Sequence, residues 1–293
     1  MKDTMARKNE IERIRSQIIA HTHMIPPMPA TLVKMGNLLS DPKTSLEEIV
    51  SAIQYDPGFT ANVLKMANSA FMGFSRQVGS LKEALIRIGT QKVFQIAVAN
   101  TVHPIMGKAL EGYNLESGDF WRHSIAVAVT AQNIAQQRPR AGGDGFTAGL
   151  LHDIGKLVLS LFMRSESASL KTFNEFALPF DAAERSFFGI DHAQVGADIL
   201  GKWNFPEAFK KSVEFHHNPP EDGSAGELAD IIHIADALCL SGGLGTGSDG
   251  LQYHLCPVSV KRLGLDHDAI ERILCQTLEK MKKFEELIEI SQN

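Results

Sequence analysis

Leu151-His152-Asp153-Ile154-Gly155-Lys156 sits inside an otherwise apolar stretch running from Phe146 to Met163, and the reading of that stretch decides the fold. Ala148, Leu151, Ile154, Leu157, Val158 and Leu161 recur at helical spacing, so a single helix over 146–163 with one buried side is expected. Ionisable residues seldom interrupt such a helix without a partner, because burying them unpaired costs on the order of several kcal/mol or shifts their pKa. The doublet alone is weak, since neighbouring residues diverge by about 100° around a helix. Its weight comes from company. His123 lies one helix earlier in an apolar stretch, His192 follows downstream, and the pair His216-His217 precedes Pro219. Asp236 is embedded in Ile234-Ala235-Asp236-Ala237-Leu238, again a buried pattern.

Outward from this stretch the chain reads as helical throughout, with no convincing run of alternating β-branched residues. Met28-Pro29-Ala30 opens a segment whose Leu32, Met35, Leu38 and Leu39 share one face, and Asp41-Pro42 ends it. Ser45 caps a helix carrying Leu46, Ile49, Val50 and Ile53, and Asp56-Pro57 is an N-cap and first-position pair. Ser80 with Glu83 reads as a capping box before Ala84, Leu85 and Ile88, closed by Gly89. A break from Met106 to Gly118 follows. Further helices are expected over 120–137 (ended by Pro139 and Gly142-Gly143), 181–188, 191–203, 207–217, 226–241 and 268–290, the last amphipathic through Ile273, Leu278, Met281, Phe284 and Leu287. Residues 242–255, rich in Gly and Ser, read as a loop. The expected organisation is a charged helix over 1–24, a helical subdomain over 25–112, and a second over 113–293.

Composition narrows the function classes. A chain of 293 residues can bury a large core, and its net charge of −5 argues against broad capture of nucleic acid or anionic membrane. Cys239, Cys256 and Cys275 form neither a disulfide framework nor a thiolate zinc site, which fits a reducing compartment. The N-terminal segment has no apolar core of a signal peptide, and no unbroken apolar run of membrane-spanning length occurs. A cytoplasmic location is expected.

Imidazoles and carboxylates together suit a first-row transition metal, and a carboxylate such as Asp153 can bridge two ions. Helices of a bundle each contributing one or two inward ligands build such sites. The set is too rich in histidine for calcium or for magnesium alone. Lys156 lies one turn after His152; it either steadies a bound phosphate or is a lysine late in an exposed helix end.

His123, His152-Asp153 and Asp236 together resemble the HD superfamily of metal-dependent phosphohydrolases. Pro26-Pro27-Met28-Pro29, Asp56-Pro57-Gly58, Asn68-Ser69-Ala70 and Ala84-Leu85-Ile86-Arg87-Ile88-Gly89 make the segment from Ile25 to about Gly245 resemble the HDOD branch. The resemblance implies a bacterial regulatory protein, all-α, with an N-terminal HDOD-specific bundle and a C-terminal HD-type metal-binding bundle. Many HDOD proteins have lost the ligands; this sequence keeps them. The set His123, His152, Asp153, His192, His216, His217 and Asp236 is similar to that of the two-metal HD-GYP cyclic-di-GMP phosphodiesterases, and Asp119 matches the position of a third-metal carboxylate in some of them. The stretch after His217, Asn218-Pro219-Pro220-Glu221-Asp222-Gly223-Ser224, lacks the Gly-Tyr-Pro signature. A similar four-histidine, two-aspartate pattern occurs in HD-fold di-iron oxygenases such as myo-inositol oxygenase.

The expectation that follows is a signalling protein with a dinuclear site of iron or manganese, zinc or nickel being alternatives, and with phosphohydrolase chemistry on a phosphoester or nucleotide. Asp153 and Lys156 would be its catalytic residues. The competing readings are a signalling scaffold whose metal only stabilises the fold, acting on other signalling proteins in trans, and a di-iron oxygenase. Neither membrane nor nucleic acid is expected as partner. His233 reads as a core histidine or as a support behind the ligands, and His21, His23, His103, His254 and His267 as structural or surface residues. Asn68-Ser69 with Phe71, Met72 and Phe74 reads as a capped helix end with core aromatics.

Overall fold

A computed structural model describes residues 2–69, 72, 76–138, 144–163, 179–244 and 254–292. It is all-α, with no strand among these residues. Helix α1 (Lys2–His21) leads to α2 (Ala30–Leu39), which buries Leu32 and Met35. Helix α3 (Leu46–Ile53) starts at Ser45, whose hydroxyl accepts from the Glu48 N–H while the Glu48 carboxylate accepts from the Ser45 N–H. Helix α4 (Pro57–Ala67) starts at Asp56, which accepts from the Phe59 N–H. Helix α5 (Leu81–Ile88) is capped by Ser80, but the Glu83 carboxylate takes the N–H of Gly79 rather than that of Ser80. The expected capping box is therefore half formed.

Gly89, at φ +93°, ends α5 and starts α6 (Thr90–Met106), a helix the sequence pattern did not single out. A 3-10 turn at Glu111–Tyr113 fills the break that follows. Then come α7 (Asp119–Gln136), α8 (Gly145–Leu151), α9 (Lys156–Met163), α10 (Phe180–Phe188), α11 (His192–Lys202), α12 (Glu207–Glu214), α13 (Glu227–Ser241), α14 (Pro257–Leu263) and α15 (His267–Gln292). Helix α14 was not foreseen. Pro139, Gly142-Gly143, Ala70, Phe71, Phe74 and residues 245–253 of the expected loop lie outside the described residues, as do the side chains of Phe284 and Leu287.

Two expectations are corrected. The helix expected over 146–163 is two helices separated by a turn at residues 152–155, where Ile154 N–H bonds Leu151 O, Lys156 N–H bonds Asp153 O and Leu157 N–H bonds Ile154 O. These three-residue closures tighten the chain and rotate the His-Asp doublet off the helical register. Gly155 makes the turn possible: a Cβ built on it would stand 2.0 Å from the His192 carbonyl oxygen and 2.8 Å from the Gly196 nitrogen. Only glycine lets the start of α11 lie so close. The helix expected over 207–217 stops at Glu214, so His216 and His217 stand on the chain beyond it.

Helix α7 is the central element: it packs on α8 and α13 on one side and on α6 and α15 on another. The α7–α8 backbones approach closely because Gly149 faces them; a Cβ there would lie 2.8 Å from Ala128 Cα and 2.9 Å from Val127 O. Helix α11 packs on α12 and α9, and α12 on α13, closing a ring of helices around the His-Asp turn. One contiguous apolar core runs from Ile18 to Ile273. The segment Gly145–Met163 has the length and hydropathy of a membrane span, but most of it is buried inside the protein.

Gly149→Ala tests the close approach. Alanine is the better helix former by about 1 kcal/mol, yet overpacking against α7 should lower stability by about 1–3 kcal/mol. Chemical denaturation showing a stability gain would refute the packing argument.

Candidate metal centre

Seven side chains from five places in the chain converge. His123 comes from the buried face of α7, His152 and Asp153 from the turn after α8, and His192 from the first turn of α11. His216 and His217 come from the segment after α12, and Asp236 from the middle of α13. All are buried except His217, which is half-buried. Their atoms meet around Asp153. Its Oδ2 lies 3.3 Å from His152 Nε2 and 3.7 Å from His123 Nε2, and its Oδ1 lies 3.2 Å from His192 Nε2 and 3.7 Å from His216 Nε2. Asp236 faces the group from the other side, with Oδ1 3.1 Å from His123 Nε2 and 3.7 Å from His152 Nε2. Its Oδ2 is 4.0 Å from His217 Nδ1.

The rear atoms of the imidazoles are committed. His152 Nδ1 donates to Gly149 O at 2.6 Å, His216 Nδ1 to Val213 O at 2.6 Å, and His123 Nδ1 to Leu244 O at 3.0 Å. A carbonyl only accepts, so each Nδ1 carries the proton and each Nε2 presents a lone pair inward when the ring is neutral. His152 Nε2, His216 Nε2, Asp153 Oδ1 and Asp236 Oδ1 are buried without any hydrogen-bond partner. Buried polar atoms of native proteins rarely stay unsatisfied. Two lone-pair nitrogens and two carboxylate oxygens aimed at one another call for a cation between them. The donor sets that a single ion could hold are Asp153, His192, His216 and His217; His123, His152 and Asp153; and His152, His216 and Asp236.

Two residues the sequence did not reveal build the second side. Glu184, fully buried on α10, accepts both the backbone N–H and Nδ1–H of His192, each at 2.7 Å, and also the hydroxyl of Tyr113 at 2.6 Å. Nothing in Asp181-Ala182-Ala183-Glu184 distinguishes that carboxylate from a solvated one. Behind it Arg185 ties Asp181 to Asp191, the N-cap of α11. His233 supports the opposite side: its Nδ1 donates to His216 O at 2.7 Å and its Nε2 accepts from the Cys256 N–H at 2.9 Å. It stands behind the cluster and not in it.

The charge distribution follows from these contacts. Burial works to lower the His192 imidazole, but the Glu184 carboxylate overrides it and, with Asp153, takes the pKa up to about 10. His192 Nε2–H therefore donates to His217 Nε2, 2.7 Å away. Burial, with the neighbouring His152, lowers His216 to about 3. His217 is pushed well below its ordinary value by burial and by the adjoining His216 and His192. Asp153 is held well below the usual carboxylate range: burial opposes this, but the charges of His152 and Lys156 prevail. Lys156 Nζ sits 2.7 Å from Asp153 Oδ2, largely buried against the cluster and not on an exposed helix end. Asp119 takes no part in the cluster: its carboxylate accepts from the Glu116 N–H at 2.9 Å, bracing the start of α7. His103 stacks edge-on to Trp121 at 4.7 Å between centroids. Asn68 clamps the chain after α4, bonding Leu64 O, Val78 O and the Val78 N–H.

The model of the HDOD domain matches residues 25–219. The chain belongs to the HDOD family. Among solved structures this HDOD chain resembles a candidate signal transduction protein from Marinobacter aquaeolei VT8 (TM-score 0.75, 20% identity, covering 99% of this chain and 66% of that one). It also resembles an HDOD domain protein of unknown function from Geobacter sulfurreducens (TM-score 0.61, 23% identity, 95% and 96%) and a candidate phosphohydrolase from Shewanella amazonensis SB2B (TM-score 0.56, 21% identity, 89% and 97%). At these identities the likeness is one of fold. Curated relatives include an uncharacterised protein of Treponema pallidum, 24% identical over 73% of this chain and 41% of that protein. Ribonuclease Y of Lawsonia intracellularis is 29% identical over 60% of this chain and 28% of its own. The HDOD chain thus spans less than half the length of these relatives.

Glu184→Gln removes the charge that holds His192 protonated. In the metal-free protein the His192 pKa is expected to fall by about 1 or more, read from its imidazole nitrogen shifts in a pH titration by NMR. An unmoved His192 would contradict the assigned contact.

Proposed function

We propose that this HDOD protein retains a dinuclear metal site and acts as a metal-dependent phosphohydrolase in signalling. The observation that carries this reading is the set of four buried, partnerless donor atoms, His152 Nε2, His216 Nε2, Asp153 Oδ1 and Asp236 Oδ1, the two imidazoles being fixed from behind by backbone carbonyls. His123, His152, Asp153 and Asp236 would hold one ion, and Asp153, His192, His216 and His217 the other, with Asp153 shared. Mixed imidazole and carboxylate donors favour iron or manganese, with zinc or nickel as substitutes. Bound ions would supply an activated water at neutral pH and stabilise charge developing on a phosphoester.

The protein's own residues do the rest. Glu184 holds the His192 ring in place by accepting its Nδ1–H, so that a bound ion would displace the Nε2 proton, and with it the contact to His217, and take up that nitrogen. Lys156, tied to Asp153 at 2.7 Å, places an ammonium beside the cluster, where it would steady phosphoryl oxygens by charge. The similarity to ribonuclease Y supports a phosphodiester or nucleotide as substrate class. The family resemblance supports a role among signalling proteins acting in trans.

Metal analysis by plasma mass spectrometry on untagged protein is expected to give about two transition-metal ions per chain, lost in His152→Ala/Asp153→Ala with the helix content intact. Metal-replete protein should then hydrolyse bis(p-nitrophenyl) phosphate or a cyclic dinucleotide, and Lys156→Ala should slow this by about 10-fold or more. Near-zero metal after anaerobic supplementation with iron and manganese would overturn the dinuclear site. Full loading without turnover of any phosphoester would overturn the enzyme and leave a scaffold with a structural metal.

A further inference from the structure

On the side of α7 away from His123, a cleft of about 630 Å³ opens between α6, α7 and α15, with the start of α8 beneath it. Its size is that of a pocket for a small molecule, typically about 300–1,000 Å³. Three ammonium groups line it: Lys92 on α6, and Lys280 and Lys283 on α15. Two of them, Lys92 and Lys283, have no carboxylate partner among the described residues, and Lys280 donates only to the neutral Asn133 amide at 2.5 Å. Partial burial lowers the Lys92 ammonium below its ordinary value, with no counter-charge to raise it. Three cations thus face one cleft without an ion-pair partner among the described residues, whereas Lys82 meets Glu47 and Arg262 meets Asp230 elsewhere on the protein.

Primary amides and one aromatic ring make up most of the remaining lining: Gln91, Gln95, Gln132 and Gln136, with Phe146 and Val129 on the buried floor. The floor is preorganised. Gln95 Nε2 donates to Gln132 Oε1 at 3.0 Å and to Asp144 Oδ1 at 2.9 Å, and Asp144 also accepts from the Phe146 N–H and from Thr147. Burial pushes the Asp144 carboxyl up from its ordinary value, against the hydrogen bonds from Thr147 and Gln95. Cations suit phosphate oxygens, and primary amides can read the paired donors and acceptors of a base edge.

We propose that this cleft binds a nucleotide, with Lys92, Lys280 and Lys283 on its phosphates and the glutamine amides on its base. The site is separate from the metal cluster. Helix α8 links the two, with Phe146 at its start under the cleft and His152-Asp153 just beyond its end. A single strand of nucleic acid is disfavoured as occupant by the chain's overall negative charge.

Calorimetric titration of the full chain in EDTA, which removes metal-dependent binding at the histidine cluster, tests the site with ADP, GDP, adenosine and inorganic pyrophosphate. At least one nucleoside diphosphate is expected to bind below millimolar, about 10-fold or more tighter than pyrophosphate, with adenosine weaker still. Lys92→Glu/Lys283→Glu should weaken it by at least about 10-fold without changing the melting midpoint; Lys283→Glu alone, at an exposed position, should weaken it in the same direction. His152→Ala should leave it unchanged. The proposal is overturned if neither diphosphate binds at millimolar concentration, or if the lysine variants bind as the parent does. It is equally overturned if His152→Ala abolishes binding, which would place the ligand at the metal cluster, or if a short single-stranded oligonucleotide binds more tightly than either mononucleotide.

Discussion

A buried carboxylate ringed by imidazoles is the constraint on which the C-terminal half of this protein is built. Asp153 is almost completely enclosed, yet lies within 3.7 Å of nitrogens from His123, His152, His192 and His216 and 2.7 Å from Lys156. Removing such a group from water is costly unless opposite charge or donors surround it. The helices α7, α8, α11 and α13 and the segment after α12 each supply part of that surrounding. Their mutual placement is the condition for burying the carboxylate at all.

Close backbone approach lets so many elements reach one point. Gly149 brings α8 against α7, and Gly155 admits the His192 carbonyl where any side chain would collide. Hydrogen bonds behind the ring then fix each imidazole: carbonyls of Gly149, Val213 and Leu244 for His152, His216 and His123, and the Glu184 carboxylate for His192. The fixed rings aim their Nε2 atoms inward, which leaves donor atoms with nothing but each other to face. Packing and coordination chemistry are the same requirement seen at two scales. The lysine-lined cleft on the far side of α7 sits on that same rigid pair of helices.

Every one of the seven proposed ligands was legible in the sequence because each is an ionisable residue set in an apolar context, and because the helix caps around Ser45, Asp56 and Ser80 are local signals. Less was legible where the signal is ordinary. Glu184 and Tyr113 meet 71 residues apart in a buried hydrogen bond, and neither stands out from its neighbours along the chain. The 152–155 turn was hidden because the apolar spacing continues through it as though the helix did.

The sequence by itself determined the all-helical class, the main caps and the identity of the metal-binding candidates, since side-chain periodicity and capping act within a few residues. Only the tertiary structure decided that α8 and α9 are separate helices, that His216 and His217 stand beyond a helix end, and that Asp119 braces a turn and not an ion. It alone placed Glu184 behind His192. The physical reason is that these outcomes rest on contacts between residues far apart in the chain, such as the Gly155 approach to His192, and no local pattern records what a distant backbone will occupy.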